Sequence, residues 1–452
     1  MNSVKKYFLG KLEELFVDRY EFTMESVDVI HKKANKLATF DVFFRKVPDC
    51  RNYLISSGVR ETINHLLNFH FDQESLNYFR KQGFNKELIQ YLESIKFSGD
   101  FKAIPDGTPV FQETPVGVIT CPIIEAQILE TFVLNAFNAN TMFASYASRI
   151  TTACKGIPWL EFGARRAHGL QASLRAAENA IMCGALGTSL EAASFLNPNI
   201  EKAYGTMAHS FIQKANNELE AFMDFSNEYP GTIVLIDTYD IENSVYNAIK
   251  VKDKISAVRI DSGDLISISK KVRMILDSHN AEHIGIFLTN NLTPYSIEKI
   301  VNSKIIIDGF GVGTQYSSCS DRPWLDTVYK ISSFEGKGGI MKWSESKVTW
   351  PGKKNVYRFY DDKGFVKEDV ISLEHEILHG RQLLETYIKN GELVKKIPSL
   401  IDSRENYFKE LKTLKPEFLD LNEKFFYPVN YSQGILDSAK KIGYEPREVI
   451  VV

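Results

Sequence analysis

In the stretch AYGTMAHSFIQ, residues 203–213, His209 stands among Gly205, Thr206, Ala208 and Ser210. An imidazole framed by such small side chains has room for a group bonded to a ring nitrogen. The same framing also suits a half-buried histidine with both nitrogens satisfied. In VRIDSGDL, 258–265, Asp261 and Asp264 flank Ser262 and Gly263 directly after an apolar run. Two carboxylates so placed suit ribose hydroxyls or a phosphate-bound magnesium ion, and Arg259 presents a planar fork to an anion. The plainer alternative is an Asp/Ser/Gly turn that caps the next helix, with Arg259 in a structural ion pair.

Four further stretches invite the same two kinds of reading. GFGVGT, 309–314, offers close-approaching backbone N–H groups and the Thr314 hydroxyl to a phosphate, or is simply a turn needing positive φ. EFGARRAHG, 161–169, sets the stacking face of Phe162 beside Arg165 and Arg166; one arginine suffices as an ion-pair partner, and His168 is read as structural. In ALGTSLEAA, 185–193, Thr188 and Ser189 are either polar contacts or a helix N-cap, and Tyr20 in FVDRYEFTM reads first as a core aromatic.

These residues need elements to hold them. Short β-branched runs end at Asp237, Asp261, Asn290 and Gly313, and helical stretches at 241–251, 265–278 and 295–302 lie between them. Strand, loop and helix in repetition predict a parallel α/β sheet or barrel whose strand ends carry the loops where active sites are built. Upstream, apolar spacing predicts helices over 59–69, 73–81 and 123–150, with strand-like runs in the stretch that begins at Phe97. Beyond Lys330 the pattern gives way to strands with tight turns and a charged, helix-rich tail.

Composition narrows the class. A chain of 452 residues exceeds one ordinary core, and 44% hydrophobic with 25% charged residues describes a globular protein. A net charge of −3 supplies no basic field for nucleic acid. No apolar run reaches membrane-spanning length, and MNSVKKYFLGKLEELF lacks the apolar core of a secretory leader. Five dispersed cysteines with no CxxC pair argue against a disulfide framework or a cysteine zinc site, so a reducing cytoplasm is expected.

DRYEFTM, EFGARRAHG, GTS, GTMAHS, LIDTYD, RIDSGDL and GFGVGT follow one another in the order and spacing of the nicotinate phosphoribosyltransferases, a type II phosphoribosyltransferase family. The sequence resembles that family from about Tyr20 to KWSESKVTWPGKK. The resemblance implies an irregular α/β barrel joined to an α/β sandwich built from both chain ends, with divisions at 1–120, 121–335 and 336–452. It implies transfer of phosphoribosyl from phosphoribosyl pyrophosphate to nicotinate, coupled to ATP as co-substrate, with Mg2+, through a phosphohistidine in NAD salvage. Neither the number nor the ligands of the metal ions follow from it. A homodimer with a composite active site is implied as well.

Carried onto this sequence, the resemblance makes His209 the phosphorylated residue and Asp237 the acid orienting its ring. Phe162 would stack on the pyridine, and Tyr20 of a neighbouring subunit would cover its other face. Arg259, with Arg165 as accessory, would hold anionic groups, and Asp261 the ribose diol. Gly263 and Asp264 complete that loop, and Gly311, Gly313 and Thr314 would cradle the 5-phosphate. Ser189 stands where the sister family acting on nicotinamide has an aspartate; a serine donates to a carboxylate that an aspartate would repel. That favours nicotinate over the nicotinamide phosphoribosyltransferase activity, and the intact His209, Arg259 and Asp261 disfavour a non-catalytic phosphate-binding barrel. Leu190, where the family usually has Asn, and a loose FLNPNIEKAY segment depart from its pattern.

Overall fold

A computed structural model describes residues 13–344 and 347–445. Most of the segment read against a secretory leader (1–12), two residues of KWSESKVTWPGKK (345–346) and the end of the chain (446–452) lie outside the described residues. By contacts the chain forms two units, Met1–Met142 with Trp324–Val452, and Phe143–Pro323.

The first unit draws on both chain ends. Its seven-stranded sheet runs Gly338–Gly339, Thr327–Phe334, Leu37–Phe44, Pro115–Pro122, Asp100–Ala103, Glu385–Lys389, Glu392–Leu393. Every neighbouring pair is antiparallel. Thr327–Phe334, placed in the barrel segment by the resemblance, pairs along the length of Leu37–Phe44. That central strand reads LATFDVFF because it is covered on both faces, so apolar residues run on without alternation. Its one charge, Asp41, is buried against Lys354 Nζ at 2.5 Å, and the ammonium also donates to the Trp350 and Gly352 carbonyls at 2.7 and 2.9 Å. Lys354 opens the strand Lys354–Tyr360 of a four-stranded sheet, so the pair ties two sheets of the unit together.

The helix Arg19–Ile30 buries Glu21 and Glu25 and leaves Tyr20 48% exposed, which overturns the core reading of that tyrosine. Burial pushes both carboxyls up to about 8. Thr131 donates to Glu21 at 2.6 Å, while neither oxygen of Glu25 has a hydrogen-bond partner. A carboxyl whose folded pKa lies above its unfolded value stabilises the fold only while protonated, so that contribution fades as pH climbs from about 5 towards 8. Glu25→Gln is therefore expected to flatten the decline of Tm across that window and to raise stability at pH 8 by on the order of 2 kcal/mol. Parallel thermal melts of wild type and variant between pH 5 and 9 check it; identical slopes would refute it.

The second unit is a curled half-barrel of six parallel strands: β1 (Trp159–Glu161), β2 (Gly187–Thr188), β3 (Thr232–Leu235), β4 (Ile255–Ile260), β5 (Gly285–Leu288) and β6 (Gly309–Val312). Their order is β2-β1-β6-β5-β4-β3. The expected strand–helix repeats appear as Ile241–Ile249, Leu265–Ser278 and Pro294–Asn302 between successive strands. Asp240, Asp264 and Thr293 cap these helices with side-chain oxygens, which sets where each loop ends. Because all six strands run the same way, their C-terminal ends share one edge.

Candidate active site

At the ends of β3 and β4 the sequence places LIDTYD and RIDSGDL side by side. Arg259 projects from β4 with its guanidinium largely desolvated, and burial lowers its basicity. Its Nη2 donates to the Met207 carbonyl at 3.2 Å, and its buried Nε has no partner. The structural ion pair is thus not what holds it; a desolvated guanidinium with an idle donor is built to receive an anion.

His209 opens the short helix His209–Gln213. Its Nδ1 lies 3.1 Å from Thr238 Oγ1, and Nε2 lies 3.9 Å from Asp261 Oδ2. The imidazole is 42% exposed, so a ring nitrogen is open to an incoming group. The resemblance gave the orienting role to Asp237, and here the structure differs. Asp237 Oδ2 accepts from the Asp261 backbone N–H at 3.1 Å and from Ser262 Oγ at 2.6 Å, so it shapes the loop after β4. Thr238 and Asp261 meet the ring instead: Asp237 turns towards the neighbouring strand's loop, leaving the next residue to reach the imidazole. Thr289, following β5, donates to Asp261 Oδ1.

The ends of β1, β2 and β6 form the second half of the site. A Cβ on Gly311 would stand 2.6 Å from Thr289 Cγ2 and 2.7 Å from the Phe162 ring, so Gly311 seats that ring. No positive φ is involved at Gly311 or Gly313, and close approach explains the glycines where the turn reading does not. Gly313 precedes the single helical turn Thr314–Ser317, whose Ser317 N–H returns to its carbonyl at 3.0 Å. Phe162 is half-buried, and its N–H bonds to the Val312 carbonyl at 2.8 Å.

Glu161 escaped the sequence reading. It is 1% exposed, and it accepts from the Gly163 N–H at 2.5 Å and from Thr188 Oγ1 at 2.6 Å. Burial raises its pKa, and one carboxyl thereby joins the loop bearing Phe162 to the loop bearing Ser189. The available signal was an acid closing the otherwise apolar strand WLE. Glu161→Gln retains one acceptor and one donor and is expected to stay within about 1 kcal/mol of wild type. Glu161→Leu strands the Gly163 N–H and the Thr188 hydroxyl and should cost about 2–4 kcal/mol. Urea unfolding decides it, and equal losses in the two variants would contradict the bridging role.

Other expected residues lie more openly. Ser189 is exposed, with its N–H bonded to the Glu161 carbonyl at 2.9 Å; the next helix, Glu191–Leu196, has no side-chain cap. Arg165, Arg166 and His168 are exposed on and after the turn Ala164–Arg166, and Arg165 is close enough for its charge to lower the basicity of Arg259. Gly263 adopts φ +77°, and Asp264 is the helix cap, accepting from the Ile266 N–H at 3.2 Å and from Ser267 Oγ at 2.6 Å. For Asp264 the capping alternative is therefore realised. Tyr20 belongs to the first unit. Among the described residues no group of three or more His, Cys, Asp or Glu side chains is placed to hold a metal ion.

A parallel α/β half-barrel that gathers an accessible histidine, a half-buried guanidinium with no bonded carboxylate and close-packed glycine loops at its strand ends defines an enzyme of anionic substrates. The nicotinate phosphoribosyltransferase (NAPRTase) N-terminal domain family model matches residues 15–138. A nicotinate phosphoribosyltransferase of Mycobacterium tuberculosis is 37% identical over 439 residues, 95% of this chain and 93% of the relative. One from Bacillus subtilis is 30% identical over 460 residues, 93% of each. The chain belongs to the nicotinate phosphoribosyltransferase family. The fold matches the crystal structure of human nicotinic acid phosphoribosyltransferase with a TM-score of 0.82 at 21% identity, over 95% of this chain and 100% of that one. It also matches nicotinate-nucleotide pyrophosphorylase from Pyrococcus furiosus with a TM-score of 0.72 at 25% identity, over 89% and 96%.

Proposed function

We propose that this enzyme transfers phosphoribosyl from phosphoribosyl pyrophosphate to the ring nitrogen of nicotinate, giving nicotinate mononucleotide and pyrophosphate in NAD salvage. The observation that carries the reading is the gathering, at one edge of the half-barrel, of the Arg259 guanidinium, whose Nε lacks a partner, and His209 beside Asp261. The pyridine nitrogen displaces pyrophosphate at the anomeric carbon through a cation-like centre. Phe162, its ring seated on Gly311, stacks on the pyridine, and Arg259 with the exposed Arg165 holds anionic groups. Asp261, fixed by Thr289, takes the ribose hydroxyls. Backbone groups at Gly311 and Gly313, with Thr314, hold the 5-phosphate, and the loop at Gly263 and Asp264 borders it.

ATP enters as co-substrate. A ring nitrogen of His209 attacks the γ-phosphorus, ADP leaves, and later hydrolysis of the phosphohistidine resets the enzyme. Thr238, beside Nδ1, and Asp261, on the Nε2 side, orient the ring for that attack. Magnesium enters this scheme with the phosphate substrates, with Asp261 and Asp237 as the carboxylates at hand. In a homodimer, the half-exposed Tyr20 of one copy covers the nicotinate ring in the other. The five cysteines, four of them buried and none joined in a disulfide among the described residues, suit a reducing cytoplasm.

Pyrophosphate release measured with nicotinate and with nicotinamide tests the substrate directly. Nicotinate is expected to be strongly preferred, and a preference for nicotinamide would overturn the reading. Ser189→Asp places a carboxylate against the carboxylate of nicotinate. It is expected to lower kcat/KM for nicotinate about 10-fold or more while sparing nicotinamide.

A further inference from the structure

The strand order leaves β2 and β3 as the two edges of the half-barrel, with no backbone ladder between them. One segment without regular structure spans that gap. The Tyr204 N–H donates to the Thr188 carbonyl of β2 at 2.8 Å, and the Thr206 hydroxyl donates to the Ile233 carbonyl of β3. Two residues of extended chain cover about 7 Å, so the edges are drawn within reach of a very short bridge. The Tyr204 ring lies where a Cβ on Gly187 would otherwise sit, which lets the bridge press flat against β2. One residue after Thr206, the Met207 carbonyl accepts from Arg259 Nη2 at 3.2 Å, and two residues later the chain reaches His209.

The bridge is therefore a strap of the sequence YGTMAH, fastened at β2, β3 and β4 immediately before the reactive ring. Between the β3 fastening and the imidazole stand only Met207 and Ala208, whose side chains add no polar tether beyond the Met207 carbonyl bond to Arg259. Where Thr206 is held decides where His209 begins its helix, and so whether the ring meets Thr238 and Asp261. We propose that Thr206 is a positioning residue for the reaction: its hydroxyl bond to β3 seams the half-barrel and fixes the His209 imidazole in its working place. This rests on the phosphohistidine reading above for its catalytic consequence, while the seam itself stands on the hydrogen bonds alone.

Thr206→Val keeps the shape and removes the hydroxyl; Thr206→Ser restores a hydroxyl without the methyl group. Full-length wild type and both variants are compared by hydrogen–deuterium exchange of peptides covering 204–213 and by ATP-coupled turnover. Thr206→Val is expected to lose protection in 204–213 and to lower ATP-coupled kcat about 10-fold, with KM for nicotinate within about 2-fold of wild type. Thr206→Ser is expected to recover most of both. Unchanged exchange in Thr206→Val overturns the seam, and lost protection with unchanged kcat overturns the positioning role. If wild type takes no phosphate from ATP on His209, the phosphohistidine reading fails, and the positioning role tied to it fails too. The exchange result still decides the seam.

Discussion

Arg259→Ala is expected to lower kcat/KM for nicotinate by about 10^3, the largest loss anticipated among the binding residues. The side chain is desolvated, its Nε has no partner, and its one direct bond goes to a backbone carbonyl. A guanidinium in that state has already met its dehydration cost, and two charge-assisted bonds to an anion are each worth about 1.5–3 kcal/mol. Together they account for about 10^2–10^4 in binding of substrate and transition state. Arg259→Lys keeps the charge but not the fork, so about 10^2 of the loss should remain. Stability supplies the control. Replacing a largely desolvated cation that has no bonded carboxylate by Met removes a desolvation penalty, so Tm of Arg259→Met should hold or rise. A variant that melts lower yet keeps wild-type kcat/KM would show that Arg259 serves the fold.

The second large effect concerns His209→Ala. Incubated with ATP and magnesium, wild type is expected to gain one acid-labile phosphate, and the alanine variant none, by intact mass. ATP-coupled kcat should fall at least about 10^2-fold, the scale of losing a nucleophile, while nicotinate binding through Arg259 and Phe162 persists. Thr238→Val offers a graded companion. It removes the oxygen 3.1 Å from Nδ1 and should slow phosphorylation without abolishing it. Equal labelling of wild type and His209→Ala would sink the assignment.

Sequence pattern revealed the half-barrel because each β-branched run stops at a polar or glycine residue, and those stops are the strand ends that carry Asp237, Arg259, Asp261 and Gly311. Side-chain direction was not legible in the same way. Asp237 and Thr238 are neighbours in the chain, and only the twist beyond β3 decides that the threonine reaches His209. Gly311 announced a close approach but not of what; the neighbour is Phe162 rather than open space. Glu161 gave almost no signal, since a lone acid at a strand end is common and one partner, Thr188, lies on a different strand far along the chain. The strap at 204–207 has no periodicity, and its bonds reach residues far from it in sequence. In the first unit, nothing local in Leu37–Phe44 says that it pairs with a strand at Thr327–Phe334.

That last pairing bears on how the protein is made. On the ribosome, Leu37–Phe44 emerges with only one of its two neighbours, Pro115–Pro122, and waits for the other until the whole of Phe143–Pro323 has been synthesised. Parallel strands joined by successive helices can form meanwhile, because their partners arrive in near succession. The nascent chain thus carries an apolar, half-paired strand through nearly half of its synthesis, and Asp41 waits longer still for Lys354. Such a charge, unneutralised until the final third of translation, makes premature stacking of that strand with another chain unfavourable. The Asp41 carboxylate that ends in a buried ion pair thus guards the unfinished sheet against aggregation.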